Sequence, residues 1–113
     1  MYIIYRKKKV KRLTEKRSLA TKKYGDDVAN KLMQRMNEIK QAESVGALKR
    51  NMPASNPHFL KGKRKKDLSI VIKGKWRIIT RPDMDEDEYI INGNTNMNKI
   101  TKIEIIKIED YHD

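Results

Sequence analysis

The chain has 113 residues, with 27 Lys and Arg against 15 Asp and Glu, a formal charge of +12, and no cysteine. A chain this short builds one modest core, so a single domain over 1–113 is expected, and its charge calls for a polyanionic partner, most commonly nucleic acid. The missing thiols exclude disulfides and thiolate metal sites and fit a reducing cytoplasm; the apolar run Met1-Tyr2-Ile3-Ile4-Tyr5 is too short for a signal core or a membrane span, so no membrane contact is expected.

The charge is segregated. Residues 1–81 hold 24 bases and 6 acids, a net +18, whereas residues 82–113 hold 3 bases and 9 acids, a net −6. One basic surface flanked by an acidic flap or edge satisfies that pattern; a uniformly basic tail does not.

Taken in chain order, Met1–Tyr5 reads as a short first strand. Val10, Leu13, Arg17, Ala20 and Tyr24 step by three and four, which predicts one basic helix from Lys8 with a weakly apolar face. Gly25 is suited to end it, and Asp26 and Asp27 suit the positive N-terminal end of a second helix. Val28, Leu32, Met36 and Ile39 give that second helix an apolar stripe through about Glu43, with Met33 and Met36 as core filler. The two form a helical hairpin turning at Gly25.

Residues 44–67, with Gly46, Pro53, Pro57 and Gly62 among polar neighbours, read as an irregular connection. From Leu68 the apolar period falls to two. Leu68, Ile70 and Ile72, then Trp76, Ile78 and Thr80, predict a hairpin turning near Lys73-Gly74-Lys75. A three-residue loop puts Leu68, Ile70, Ile72, Trp76 and Ile78 on the buried face and leaves Arg77 and Arg81 with Ser69 and Val71 on the other. Pro82 ends this strand, and Asp83–Glu88 is a solvated acidic turn. Tyr89-Ile90-Ile91 forms a short strand ended by Asn92-Gly93, and Asn94–Lys99 a polar loop. Thr101–Glu109 is the longest strand; its apolar phase switches between Ile105 and Ile106, so it is either central or bulged. The order predicts an α+β fold, an N-terminal strand and two-helix hairpin packed on a mostly antiparallel sheet.

Between Lys61 and Arg81 lie nine Lys and Arg residues and one acid, Asp67. RNA supplies its own nucleophile, the 2′-OH, so fixed cations and a group titrating near neutrality suffice for a metal-free phosphodiester-cleaving site. Arg77 suits phosphate best, since a guanidinium stays charged and grips two oxygens; its bland alternative is a solvated strand Arg beside Asp67 or Glu109. Lys63, Arg64, Lys65 and Lys66, with Lys75 and Arg81, read as backbone-phosphate contacts. Lys61 and Lys73 fit the same role, although Lys61 among cations also suits a base. His58 divides between loop packing and substrate contact. Two His without Cys make no metal site, and the 83–88 acids lack calcium-loop spacing. Trp76 and Phe59 suit base stacking, but Trp76 alternates with Ile78 as a core residue does.

Leu60-Lys61-Gly62, the basic stretch after it, Leu68-Ser69-Ile70, Trp76-Arg77-Ile78 and the terminal Glu109-Asp110-Tyr111-His112 together resemble a HigB-type toxin of the RelE/ParE superfamily, the plasmid-maintenance killer proteins. The resemblance covers nearly the whole chain. It implies a RelE-like microbial RNase fold and a toxin that cleaves mRNA on translating ribosomes with no cofactor. It also implies neutralisation by a helix-turn-helix antitoxin of HigA type, with operator DNA bound only through that complex. His58, Lys61, Lys73, Arg77 and His112 correspond to the family's active-surface residues. Of these, Lys61, Lys73, Arg77 and His112 carry the catalytic assignment, His112 as base or acid, and Tyr111 anchors the terminus from the opposite face. Two departures stand out. Arg81 to Thr101 is longer than typical, and Lys63 stands where an acid is expected. A non-catalytic RNA- or ribosome-binding protein and a ParE-like toxin acting on DNA gyrase are the alternatives.

Overall fold

A computed structural model describes residues 1–111. Its long strands are those with period-two apolar residues: β3 (Leu68–Lys73), β4 (Trp76–Pro82) and β7 (Lys102–Asp110). With β1 (Tyr2–Tyr5) and β2 (His58–Phe59) they form one sheet in the order β1-β7-β4-β3-β2, parallel only at β1–β7. Four helices, α1 (Lys8–Glu15), α2 (Arg17–Tyr24), α3 (Asp26–Gln41) and α4 (Val45–Asn51), complete a mixed α+β architecture. The core joins Leu32, Met36 and Ile39 of α3 to Leu68, Ile70, Ile72 and Ile78 of the hairpin and to Ile103 and Ile105 of β7.

The single helix expected from Lys8 to Tyr24 is two. Lys16 adopts an extended conformation (φ −109°, ψ 101°) between α1 and α2. Between buried Leu13 and buried Ala20 the position that would continue the stripe is Arg17, charged and exposed, so little holds a continuous helix to the core there. The α2–α3 turn falls at Gly25, whose φ of 87° favours glycine, and Asp26 and Asp27 occupy the first turn of α3. At the other end, the N-terminal ammonium donates to the Ala42 and Lys40 carbonyls at 2.6 and 3.3 Å. This places a cation at the negative end of α3.

The segment 44–67 is not irregular throughout. The Ser44 hydroxyl accepts a 3.0 Å bond from the Ala47 amide and starts α4, while His58 and Phe59 pair with Ser69 and Leu68. Gly46 is no breaker either: a β-carbon there would collide with Asn98, so glycine permits a close approach. Beyond Pro82, β5 (Ile90–Ile91) pairs with β6 (Asn94–Thr95) in a separate hairpin. Its turn, Asn92-Gly93, has positive φ at both residues (54° and 78°), the geometry that matches strand twist.

Two bulges set which residues face which way. Lys73 pairs with Trp76, so the β3–β4 loop is two residues rather than three, and a register shift between Val71 and Lys73 restores the phase. The apolar side therefore holds as expected, with Leu68, Ile70, Ile72 and Ile78 buried and Trp76 edge-on to Tyr24 at 5.0 Å. The second shift is in β7, where Ile79 pairs with Lys107 but Thr80 with Ile105, so the extra residue is Ile106. The phase switch thus marks a strand that is both central and bulged.

Arg35 serves the first bulge. It lies on the apolar stripe of α3, nine-tenths buried, ion-paired to Glu38 at 2.5 Å. Its guanidinium donates to the carbonyls of Val71 (2.7 Å) and Ile72 (3.4 Å), where the ladder is interrupted.

Candidate functional site

Opposed residues share a sheet face, so the register defines two rows on the side away from the helices. One runs His58–Ser69–Ile79–Lys107 and the next Val71–Arg77–Glu109. Strand spacings put the Cα atoms of His58 and Arg77 roughly 12 Å apart on this face. Ser69 and Ile79 are fully buried, because the segment between β2 and β3 lies against the face.

Ion pairs hold that segment down. Arg64 donates to both oxygens of Glu109 at 3.0 and 3.1 Å and reaches Asp67 at 3.4 Å, while Arg81 meets Asp67 at 2.5 Å. From a loop beside β3, Arg64 crosses β4 to grip β7. Asp67, the one acid among nine bases, is buried between two guanidiniums. Burial alone would raise the Glu109 carboxyl, but hydrogen bonds from Arg64 and Lys107 outweigh it and hold it below the ordinary range. The same bond to Glu109 pushes the Arg64 guanidinium up. Arg64 and Arg81, expected at phosphates, therefore spend their charge inside the protein.

Arg77 differs. Its Nη1 donates to the carbonyls of Gly74 (2.5 Å) and Trp76 (3.0 Å), which orients it over the hairpin turn. Its cross-strand neighbour Glu109 is already occupied by Arg64 and Lys107, and no carboxylate among the described residues pairs with Arg77. The result is a half-buried cation fixed by backbone carbonyls, with no ion-pair partner among the described residues.

Lys61, Lys63, Lys65 and Lys66 are exposed in the basic segment, Lys66 within 3.9 Å of Glu86, and Lys75 is exposed in the hairpin turn. Such exposed pairs contribute about 0–1 kcal/mol, so these side chains are free to exchange partners. Lys73 is not with them. The bulge turns it to the helical side, 3.6 Å from Asp27 of α3, separating it from Arg77.

His58 Nδ1 lies 2.8 Å from the Asn56 carbonyl, which can only accept. Nδ1 therefore carries the proton, leaving Nε2 of the neutral ring as an acceptor. Next to it in register, the buried Ser69 hydroxyl has no hydrogen-bond partner among the described residues. Tyr111 continues the ladder, its amide donating to the Lys75 carbonyl at 2.8 Å. Its ring lies 5.9 Å from the Arg64 guanidinium, so it anchors the terminus from the Arg64–Glu109 face rather than the opposite one. His112 lies outside the described residues.

The face thus gathers His58, Arg64, Arg77 and Arg81, with Lys75 at its end, and leaves Lys73 apart. Ser69, Asp67, Glu109 and Lys107 join it without having been singled out as site residues. Asp67 was legible as the lone acid in a basic run; Glu109 was legible as part of the terminal motif, and both as possible neighbours of Arg77. Among the described residues no three His, Cys, Asp or Glu side chains gather as a metal site, and no helix is long and apolar enough to cross a membrane.

No protein-family model matches the chain, and no curated protein sequence does. Among solved structures it is similar to a YoeB/ParE toxin from Agrobacterium tumefaciens, with a TM-score of 0.51 and 11% identity over 99% of this chain and 100% of that one. At that identity the likeness is one of fold, and it extends over both chains almost end to end.

Proposed function

We propose that this chain is the toxin of a toxin–antitoxin pair, a HigB-type member of the RelE/ParE superfamily, and that it cleaves mRNA on the ribosome without a metal cofactor. The observation that carries the reading is Arg77, a guanidinium pre-oriented by two carbonyls and unopposed by any described carboxylate, at the hairpin-turn end of a basic face. The fold shared with a YoeB/ParE toxin supports the toxin reading.

In this mechanism the RNA 2′-oxygen attacks the adjacent phosphorus as the bond to the 5′-oxygen breaks. A base takes the 2′-proton, an acid returns one to the 5′-oxygen, and Arg77 grips the phosphoryl oxygens as charge builds. Lys61 and His112 carry the proton transfers, with His58 Nε2 oriented as a further acceptor. Lys63, Lys65, Lys66 and Lys75 hold RNA or ribosome phosphates, with Lys73 at the margin. The partners are mRNA, the 70S ribosome and a helix-turn-helix antitoxin of HigA type, through which alone operator DNA is bound. The protein works in the cytoplasm as one domain.

The test is mRNA cleavage on purified ribosomes by protein pretreated with chelator, followed by analysis of product ends. Cyclic 2′,3′-phosphate and 5′-hydroxyl ends are expected; 5′-phosphate and 3′-hydroxyl ends would exclude attack by the 2′-OH. A second reading, a ParE-like toxin, draws on the neighbour's YoeB/ParE description. Inhibition of DNA gyrase without mRNA cleavage would replace the first reading with it.

A further inference from the structure

The longer segment after β4 builds a second cationic cleft, away from Arg77. One wall is the last turn of α4, with Lys49 and Arg50; the other is the β5–β6 hairpin and the turn after it. The cleft encloses about 550 Å³. Its base is close-packed, since a β-carbon on Gly46 would overlap Asn98. Arg50 donates to the Asn98 side-chain oxygen, and the Asn96 side chain accepts the Asn98 amide at 3.0 Å. These bonds fix the lining while leaving the Nδ2 groups of Asn96 and Asn98 without a partner among the described residues. Beside them Ile91 is 44% exposed, an uncovered apolar surface.

Amide groups that read a base edge, an apolar side chain that packs on a base face and two cations for phosphate describe one ligand class: a nucleotide of a single strand. The cleft also connects to the candidate face. Thr95 lines both it and a neighbouring depression beside Phe59, Lys65 and Lys66. Lys66 in turn lines a third depression, with Arg81. A strand following these depressions meets Lys66 and Lys65, beside Glu86, and then Lys49 and Arg50, while Arg81 stays paired to Asp67.

We infer that the cleft between α4 and the β5–β6 hairpin is a single-stranded RNA subsite, holding a nucleotide of the strand whose scissile phosphate lies at Arg77. This placement of the strand rests on the RNA-cleavage reading above; the subsite itself does not. An acidic peptide would also match Lys49, Arg50 and the amide donors; the continuity of the cleft with the depression beside Lys65 and Lys66 favours a nucleic-acid strand.

The experiment is fluorescence anisotropy of a labelled 12-nucleotide single-stranded RNA with the full chain, ribosomes absent, across a salt series. Lys49→Ala/Arg50→Ala should weaken binding about tenfold at low salt and lower the slope of log affinity on log salt by about 1.4, two phosphates at about 0.7 each. Lys8→Ala/Lys9→Ala on α1 removes the same charge elsewhere and should weaken binding less than twofold. Ile91→Ser should weaken binding about threefold without altering the salt slope. Circular dichroism confirms that each variant folds. Equal effects of the two double variants would overturn the subsite in favour of diffuse attraction. Unchanged RNA binding with loss of poly-glutamate binding in Lys49→Ala/Arg50→Ala would overturn it in favour of an acidic protein partner. Cleavage by wild type with no cleft effect refutes the subsite alone; a cleft effect without cleavage refutes the cleavage reading alone.

Discussion

Replacing Arg35 with Met tests how the fold holds the hairpin that carries Arg77. Met roughly conserves the buried stem but removes three interactions: the ion pair to Glu38 and the donors to the Val71 and Ile72 carbonyls. The Glu38 side chain is only 10% exposed, so its carboxylate keeps the 3.0 Å bond from Gln34 but loses its counter-charge inside the protein. Breaking a buried pair from one side costs about 3–5 kcal/mol, a large part of the roughly 5–15 kcal/mol that holds a domain folded. A loss of about 3 kcal/mol lowers the melting temperature by about 12 °C at about 4 °C per kcal/mol. Arg35→Met/Glu38→Leu removes the stranded charge as well and should recover all but about 1–2 kcal/mol, the share of the two bulge carbonyls. Urea denaturation followed by circular dichroism measures each variant. A loss below about 1 kcal/mol in Arg35→Met, or no recovery in the double variant, would refute the assignment of Arg35 as the bulge's hydrogen-bond donor and charge partner.

Three further outcomes follow from the ion network and the free lysines. Glu109 titrates lower in the folded chain than unfolded, so its stabilisation is complete above the unfolded value, about 4.5, and is lost as pH falls through the folded one. Glu109→Gln should flatten acid unfolding below about pH 5; an unchanged acid profile would contradict this. Arg64→Ala should destabilise the fold by only about 1 kcal/mol because the side chain is 36% exposed. It should nonetheless speed amide exchange across 61–67, and protection equal to wild type would show that the network does not hold the segment. Lys63→Ala and Lys65→Ala should weaken ribosome association a few-fold at low salt, with a difference that vanishes at high salt; a salt-independent loss would point to packing instead.

What the sequence disclosed divides by the range of the interaction involved. The apolar stripe of α3 and the alternation in β3, β4 and β7 are local periodicities, and they give the right elements and buried faces. The phase switch at Ile105–Ile106 even announced its bulge. The break at Lys16 is also local, but counting Arg17 as part of an apolar face concealed it. Gly46 and Pro53 obscured α4, although Ser44 supplied its cap. Asn92-Gly93 was read as an end rather than as the turn of a hairpin. At the site, the basic character was legible and the availability of each cation was not. Arg64 is neutralised by Glu109, 45 residues away in sequence, which no spacing rule reveals, and Arg81 by Asp67, one step beyond the Leu68–Thr80 pair of the hairpin. Lys73 followed strict alternation onto the Arg77 face until the bulge, stabilised by Arg35, turned it toward Asp27. The acidic partners, rather than the bases, determine which cations remain for a phosphate.

The central claim is that Arg77 stabilises the transferring phosphoryl group from a position where truncation costs the fold little. The direct measurement is single-turnover cleavage of a defined mRNA on purified ribosomes by wild type and Arg77→Ala, with circular dichroism and urea midpoints as folding controls. Removing one preorganised charge donor should slow cleavage about 10²–10³-fold while the urea midpoint stays near wild type. A folded Arg77→Ala protein that cleaves at the wild-type rate would contradict the account.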